Sequence, residues 1–293
     1  MTAPIATPEP ATSRSRVRSP FVEGRLSYLR AGTVRPFNYM YEPPKGQPWH
    51  NCEYDQRAVR IADARHARTA LSIDNEGFEL RSAPTRVKDF EDPTEVAEIY
   101  YAEVAALALR VTGGVSAHVF DHQVRKREPG RPPLTFGRQG DGTRPAAVGR
   151  VHNDYTEESG RRRLALVLQD GAAVARVRRF SIVNVWRSIR GPVLDTPLAV
   201  CDARSVSPND LVAAEVRYPG RVGEIYLATH SPYHAWSYFD CMGRDEALVL
   251  KQFDSDPEIP ARFTPHAAFD HPHAPPQAPL RESIEVRCLV VYD

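Results

Sequence analysis

A chain of 293 residues, 42% hydrophobic and 26% charged, can bury a large core as one elaborate domain or two modest ones. Its 38 basic and 37 acidic residues nearly cancel, so no overall field draws it onto nucleic acid or an anionic membrane, and no apolar run approaches the ~20 residues of a membrane span. Cys52, Cys201, Cys241 and Cys288 are scattered without a C-x-x-C pair, which points to a reducing, cytoplasmic setting and away from a structural zinc site.

The first residues, MTAPIATPEPATSRSRVRSP, lack the apolar stretch of a secretory signal and read as a disordered tail over residues 1–22. Glu9 and the prolines interrupt any amphipathic transit helix. From residue 23 to 293 the punctuation is that of one continuous domain, with no internal repeat and no second hydrophobic unit behind a linker. Short β-prone stretches at Leu26 to Leu29 and Val59 to Ile61 are broken by the turn-rich YEPPKGQPWHN.

The clearest helix follows. Asp92 can cap it, Pro93 suits its first turn, Glu95 stands where a capping box wants it, and apolar residues recur at helical spacing up to Gly113-Gly114. Val115 to Val124 reads as a strand. The polar run REPGRPPLTFGRQGDGTRP is a long loop, of the kind that covers functional sites or merely crosses a surface. Ala146 to Tyr155 returns to strand character, Thr156 to Arg179 reads as helix interrupted at Gly171, and a strand resumes at Phe180. Beyond Pro192 come short β segments at Leu198 to Cys201, Glu215 to Tyr218, Gly223 to Ala228, Ala235 to Phe239, Ala247 to Phe253 and Glu282 to Tyr292. Many short strands with two helices indicate a mostly β sandwich or barrel with helices packed outside.

Two places carry chemistry. His152-Asn153-Asp154 sets an imidazole and a carboxylate two residues apart, on one face of a strand and roughly 6.6 Å apart along it. Chance supplies about one such triplet in a chain of this composition, so its meaning rests on what surrounds it. A second imidazole, His266 in Thr264-Pro265-His266, would complete a two-histidine, one-carboxylate set of the non-haem iron type. His230 and His234 are rivals for that third place. The last strand, RESIEVRCLVVYD, alternates Ile284, Val286, Cys288, Val290 and Tyr292 with Arg281, Ser283, Glu285 and Arg287. Its polar face is either a charged edge that discourages aggregation or the wall of a cavity in which Arg281 and Ser283 bind an anion through a guanidinium fork. Arg187 and Arg287 are rivals for that anion, and Arg187 could instead pair with Asp202.

NVWR (184–187), PLAVCDARSV (197–206), SPYHAWSYF (231–239), MGRDEALVLKQFDSD (242–256), PHAAFDHP (265–272) and RESIEVR (281–287) together resemble the AsaB/CmcJ-type hydroxylase/desaturase family, over about Gly24 to Asp293. The resemblance implies a double-stranded β-helix (jelly-roll, cupin-like) core of the non-haem iron(II)/2-oxoglutarate-dependent dioxygenase type. Carried over residue by residue, it makes His152, Asp154 and His266 the ligands of Fe(II), and Arg281 with Ser283 the holders of the distal 2-oxoglutarate carboxylate. His234, Trp236, Tyr238, Trp186 and Asn184 would then line the substrate pocket. It further implies O2 as cosubstrate, succinate and CO2 as products, and hydroxylation or desaturation of a small secondary-metabolite or amino-acid-derived substrate. Asp154 weighs against halogenation, because halogenating relatives lack this carboxylate. The other reading is a catalytically silent, cupin-like accessory component of a two-protein system. A homodimer or an accessory protein is the partner to expect besides the small molecule.

Overall fold

Short β-branched and aromatic runs between Gly, Pro and Asp turns favour strands along most of this chain. The computed structural model, which describes residues 20–32, 34–127 and 148–293, is built accordingly. In chain order its strands are β1 (Phe21–Leu29), β2 (Phe37–Tyr39), β3 (Tyr54–Asp63), β4 (Phe78–Ser82), β5 (Ser116–Lys126), β6 (His152–Asn153) and β7 (Phe180–Ser188). There follow β8 (Leu198–Cys201), β9 (Leu211–Tyr218), β10 (Arg221–Ala228), β11 (Trp236–Tyr238), β12 (Glu246–Asp254), β13 (His266–Ala268) and β14 (Glu282–Val291). The helices are α1 (Pro93–Glu95), α2 (Tyr101–Thr112), α3 (Glu157–Leu168) and α4 (Gly171–Arg176).

One sheet has nine strands, in the order β1-β3-β11-β8-β13-β6-β10-β9-β2, and the other has five, in the order β4-β12-β7-β14-β5. Two facing sheets with helices outside them are the jelly-roll, mostly β architecture expected. The nine-stranded sheet also curls. Ser27 bridges to Arg150 and Leu29 to Thr229, so β1 returns to the strands beside β6 and closes a roll around Leu26, Tyr28, Ile61, Val151, Cys201, Trp236, Tyr238 and Phe269.

Strand alternation sorts the three main clusters. In β8, Ala199 and Cys201 enter the roll, whereas Leu198 and Val200 face the five-stranded sheet and pack with Phe78, Trp186, Leu248 and Leu250. The far side of that sheet presents Val183, Val185, Val249, Ile284, Val286 and Cys288 to Val96, Tyr100, Val104, Leu107 and Ala108 of the helical segment. Each such aliphatic side chain contributes about 1.5–3 kcal/mol by leaving water. The chamber between the sheets is therefore apolar at the β12 side and polar at the β14 side.

Asp92 caps the helical segment through Thr94 N at 2.8 Å, and Gly113 ends it at φ 72°. Glu95 does not reach back to Asp92; its carboxylate accepts from the amides of Lys88 and Asp89, which ties down the preceding loop. A π turn, Val96–Tyr100, joins α1 to α2. Of the strand expected over 146–155, residues 146–147 lie outside the described residues and the described part keeps only β6, while the helix expected over 156–179 divides at Gln169, which takes φ 54°, and at the cap Asp170. Phe21 and Val22, read as tail, already belong to β1. The rest of that tail, apart from Pro20, and the loop read at 127–145, apart from Arg127, lie outside the described residues. Among the described residues no helix is long and apolar enough to cross a membrane.

Candidate metal and anion site

β6 is only two residues long, yet it carries the first imidazole, because its neighbours fix its register. His152 stands opposite Leu227 of β10 on one side and opposite His266 of β13 on the other. Residues directly opposite in an antiparallel pair project from the same side of a sheet, so both rings enter the chamber, with centroids 4.4 Å apart. Asn153, pointing the other way, ties the region together. Its amide donates to the carbonyls of Tyr155 (2.7 Å) and Gln252 (2.8 Å), and its oxygen accepts from Thr264 N at 3.0 Å, two residues before His266. Gln252 in turn receives Asp154 N at 2.9 Å.

Ligand atoms of His152, Asp154 and His266 all lie within 4.8 Å of one another. His152 Nδ1 is 2.9 Å from the Arg150 carbonyl and His266 Nδ1 is 3.3 Å from that of Thr264. A carbonyl only accepts, so each Nδ1 carries the proton and each Nε2 keeps its lone pair for an ion. Burial, and then the His266 imidazole, hold His152 well below its ordinary value, which keeps the ring neutral. Burial alone would raise the Asp154 carboxyl, but Arg287, the two imidazoles and the Asn184 amide overcome it and keep the group ionised. Asp154 Oδ2 accepts from Asn184 Nδ2 (2.8 Å) and Arg287 Nε (3.0 Å), while Oδ1 stays on the imidazole side, 3.5 Å from His152 Nε2. Two imidazoles and one oriented carboxylate are a donor set that fits iron(II).

Arg281 and Ser283 border this chamber. Both are buried. Arg281 donates from Nη1 to the Thr196 carbonyl at 3.0 Å and lies 5.6 Å over the Trp186 ring. Burial, with Arg125 adding to it, lowers its guanidinium to about 10. The Ser283 hydroxyl is buried and makes no hydrogen bond within the protein, the condition of a group waiting for a ligand.

Several expected neighbours stand elsewhere. Arg287 is at the site, but its guanidinium is divided among Asp154, Asp121 and Glu285, which makes it a holder of the metal-side carboxylate and not a free anion fork. Arg187 belongs to the other side of β7. Asn184 and Trp186 face the chamber, so Arg187, odd-numbered like Val183 and Val185, projects to the helix side. There it donates to the carbonyls of Ala83 (2.8 Å) and Arg244 (3.3 Å) and lies 4.9 Å over Tyr100. It does not meet Asp202, which pairs with Arg204. Trp236 and Tyr238 lie inside the roll, on the face of the nine-stranded sheet opposite to His266. His234 stacks on Tyr28, with Asp210 3.2 Å from its Nε2, and His230 meets the edge of the same Tyr28 ring. None of these four lines the chamber, and neither rival histidine reaches His152.

Sequence reading missed Arg125, Gln252 and the tying role of Asn153. The alternation that exposed the polar face of β14 is repeated in β5 as Asp121, Gln123 and Arg125 and could have found the first. Nothing local marks Gln252, whose role comes from a contact 98 positions away in the chain.

A family model described as an oxidoreductase/YMDC permease-like domain matches residues 26–291. The hydroxylase/desaturase efuI of Hormonema carpetanum is 32% identical over 308 residues, covering 100% of this chain and 98% of that protein. The Fe(II)/2-oxoglutarate-dependent dioxygenase nvfI of Aspergillus novofumigatus is 33% identical, over 89% of this chain and 92% of that protein. Among solved structures, the iron and alpha-ketoglutarate-dependent endoperoxidase NvfI superposes with a TM-score of 0.82 at 28% identity, covering 94% of this chain and 99% of that chain.

Proposed function

From the premise that this chain belongs to the hydroxylase/desaturase family of Fe(II)/2-oxoglutarate-dependent dioxygenases, we propose that it hydroxylates or desaturates a small secondary-metabolite or amino-acid-derived substrate. The proposal takes residues 23–293 as one oxygenase unit acting in the cytoplasm, alone, as a homodimer or beside an accessory protein. The observation that carries it is the convergence of His152, Asp154 and His266 within 4.8 Å on the chamber bordered by Arg281 and Ser283.

In this reading Nε2 of His152, Oδ1 of Asp154 and Nε2 of His266 hold iron(II), which with 2-oxoglutarate and O2 supplies the oxidising power for C–H cleavage and releases succinate and CO2. The protein's own work is placement. The carbonyls of Arg150 and Thr264 fix the tautomers, and Asn184 and Arg287 aim the carboxylate. Arg281 and the unpartnered Ser283 hydroxyl receive the far carboxylate of the 2-oxoacid. Trp186 and the apolar cluster at Leu198, Val200 and Leu250 keep that side of the chamber dry, which strengthens each of these polar contacts.

Anaerobic addition of iron(II) and then 2-oxoglutarate is expected to give a weak visible charge-transfer band and, with O2, succinate. His152→Ala and Asp154→Ala should each lose both. A band and turnover that survive in both variants would remove the triad from the mechanism, and a band without succinate would mark a silent accessory protein.

A further inference from the structure

The five-stranded sheet has a second face. Trp186 points from β7 into the chamber and lies against Arg281, while Arg187, the next residue, points the other way, towards α2. There a cavity of about 240 Å3 opens between α2, β7 and the end of β4. Tyr100, Val104, Leu107 and Arg187, all buried, form its floor. Ser82, Pro84, Ala106 and Arg110 are exposed and form its rim. The sheet itself separates this cavity from the triad.

Two polar groups on that floor are incompletely bonded. Arg187 uses Nη1 and Nη2 on the carbonyls of Arg244 and Ala83, but its Nε is buried without a hydrogen-bond partner. The Tyr100 hydroxyl is likewise buried without a partner. Its ring lies 4.9 Å from Cζ of Arg187, so the two groups are neighbours, yet a guanidinium only donates and cannot take the hydroxyl proton. Burial pushes that hydroxyl up to about 12, although Arg187 opposes the rise, so it stays protonated at neutral pH and is a donor. Buried donors without an acceptor are rare in folded proteins, because their lost hydration is not recovered.

Charge and shape define the acceptor that would satisfy both. Glu103 also lines the cavity and feels the Arg187 charge, but its oxygens are engaged by Thr85 Oγ1 at 2.6 Å and Arg86 N at 3.0 Å. With Arg187 and Arg110 set against Glu103, the lining carries one net positive charge, which a monoanion neutralises and a dianion overshoots. Val104, Leu107 and Pro84 favour an organic body over an inorganic ion, because they gain by shielding apolar surface from water. The cavity is smaller than the roughly 300–1,000 Å3 of sites for drug-sized ligands, so that body is small.

We propose that this cavity binds a small organic monocarboxylate, whose oxygens accept from Arg187 Nε and the Tyr100 hydroxyl while its apolar part lies against Val104 and Leu107. The site lies on the opposite face of the sheet from the chamber and is independent of the oxygenase reading.

The test uses the full chain loaded with nickel(II) and saturating 2-oxoglutarate, which occupy the chamber, and titrates benzoate and its neutral twin benzamide in a calorimeter at constant ionic strength. Benzoate should bind without displacing 2-oxoglutarate, and benzamide should bind more weakly. Tyr100→Phe removes one oxygen and should weaken benzoate roughly tenfold. In the absence of benzoate the same variant should keep or raise the Tm, because the hydroxyl has no bond to lose. Ala106→Trp, on the exposed rim, should abolish benzoate binding while the 2-oxoglutarate Kd, the check on folding, stays within about twofold. The proposal is overturned by the absence of benzoate binding in the unmodified protein, by competition between benzoate and 2-oxoglutarate, or by unchanged benzoate affinity in either variant. A lowered Tm in Tyr100→Phe would overturn it too, by showing that the hydroxyl already serves the fold. Failure of the unmodified protein to bind nickel or 2-oxoglutarate would count against the oxygenase reading alone, and the two variants would still decide the cavity.

Discussion

Asp154 shows how much of the site is decided by single side chains. Its ionised state depends on Arg287 and the imidazoles outweighing burial, and its aim depends on Asn184 Nδ2 at 2.8 Å. Replacing a partner that orients a metal ligand typically costs 10–100-fold in metal affinity or activity. Asn184→Ala is therefore expected to weaken manganese(II) or iron(II) binding by about that factor while the circular dichroism spectrum stays unchanged. A metal titration indistinguishable from the parent would show that Arg287 alone orients the carboxylate. His152 and Asp154 were legible as a pair because residues two apart on a strand share a face. Arg187 was misread because its type was weighed before its parity. Asn184 and Trp186 face the chamber, so the same alternation sends Arg187 outward.

Elements were legible where their signals are local. The Asp92 cap, Pro93 and Gly113 mark the helical segment in the sequence, and long apolar runs mark β7, β12 and β14. β13 and β6 have three and two residues, too few for any periodicity, and they exist because Asn153, Thr264 and Gln252 join distant segments. Packing can also override propensity. Gly160 in α3 is a poor helix former, yet a Cβ there would lie 2.5 Å from Cγ of Phe253 in β12. Alanine would gain up to about 1 kcal/mol of helix propensity, but overpacking costs about 1–3 kcal/mol. Gly160→Ala should therefore lower stability by up to about 2 kcal/mol net in urea unfolding; a stabilised variant would mean that α3 can slide away from β12 freely.

At the scale of the molecule, the three main apolar clusters close without the triad: the roll, the apolar half of the chamber and the helix-covered face. Chelation should therefore leave the chain folded. Manganese(II) at about 100 times its Kd should add about 2.7 kcal/mol, which raises Tm by roughly 4–5 °C in a domain of this size. Unfolding on chelation would instead make the metal a structural staple. The sequence by itself determined the β-rich class, the covered helix, the His152/Asp154 pair and the polar face of β14, because caps and two-residue alternation are written in neighbouring positions. Only the tertiary structure decided which histidine joins the pair, that Arg287 serves Asp154, that Trp236 and Tyr238 fill a roll, and that Arg125 stands beside Ser283. Each of those depends on which strands lie side by side, and strand order is set by long-range closure and burial that local residue patterns do not encode.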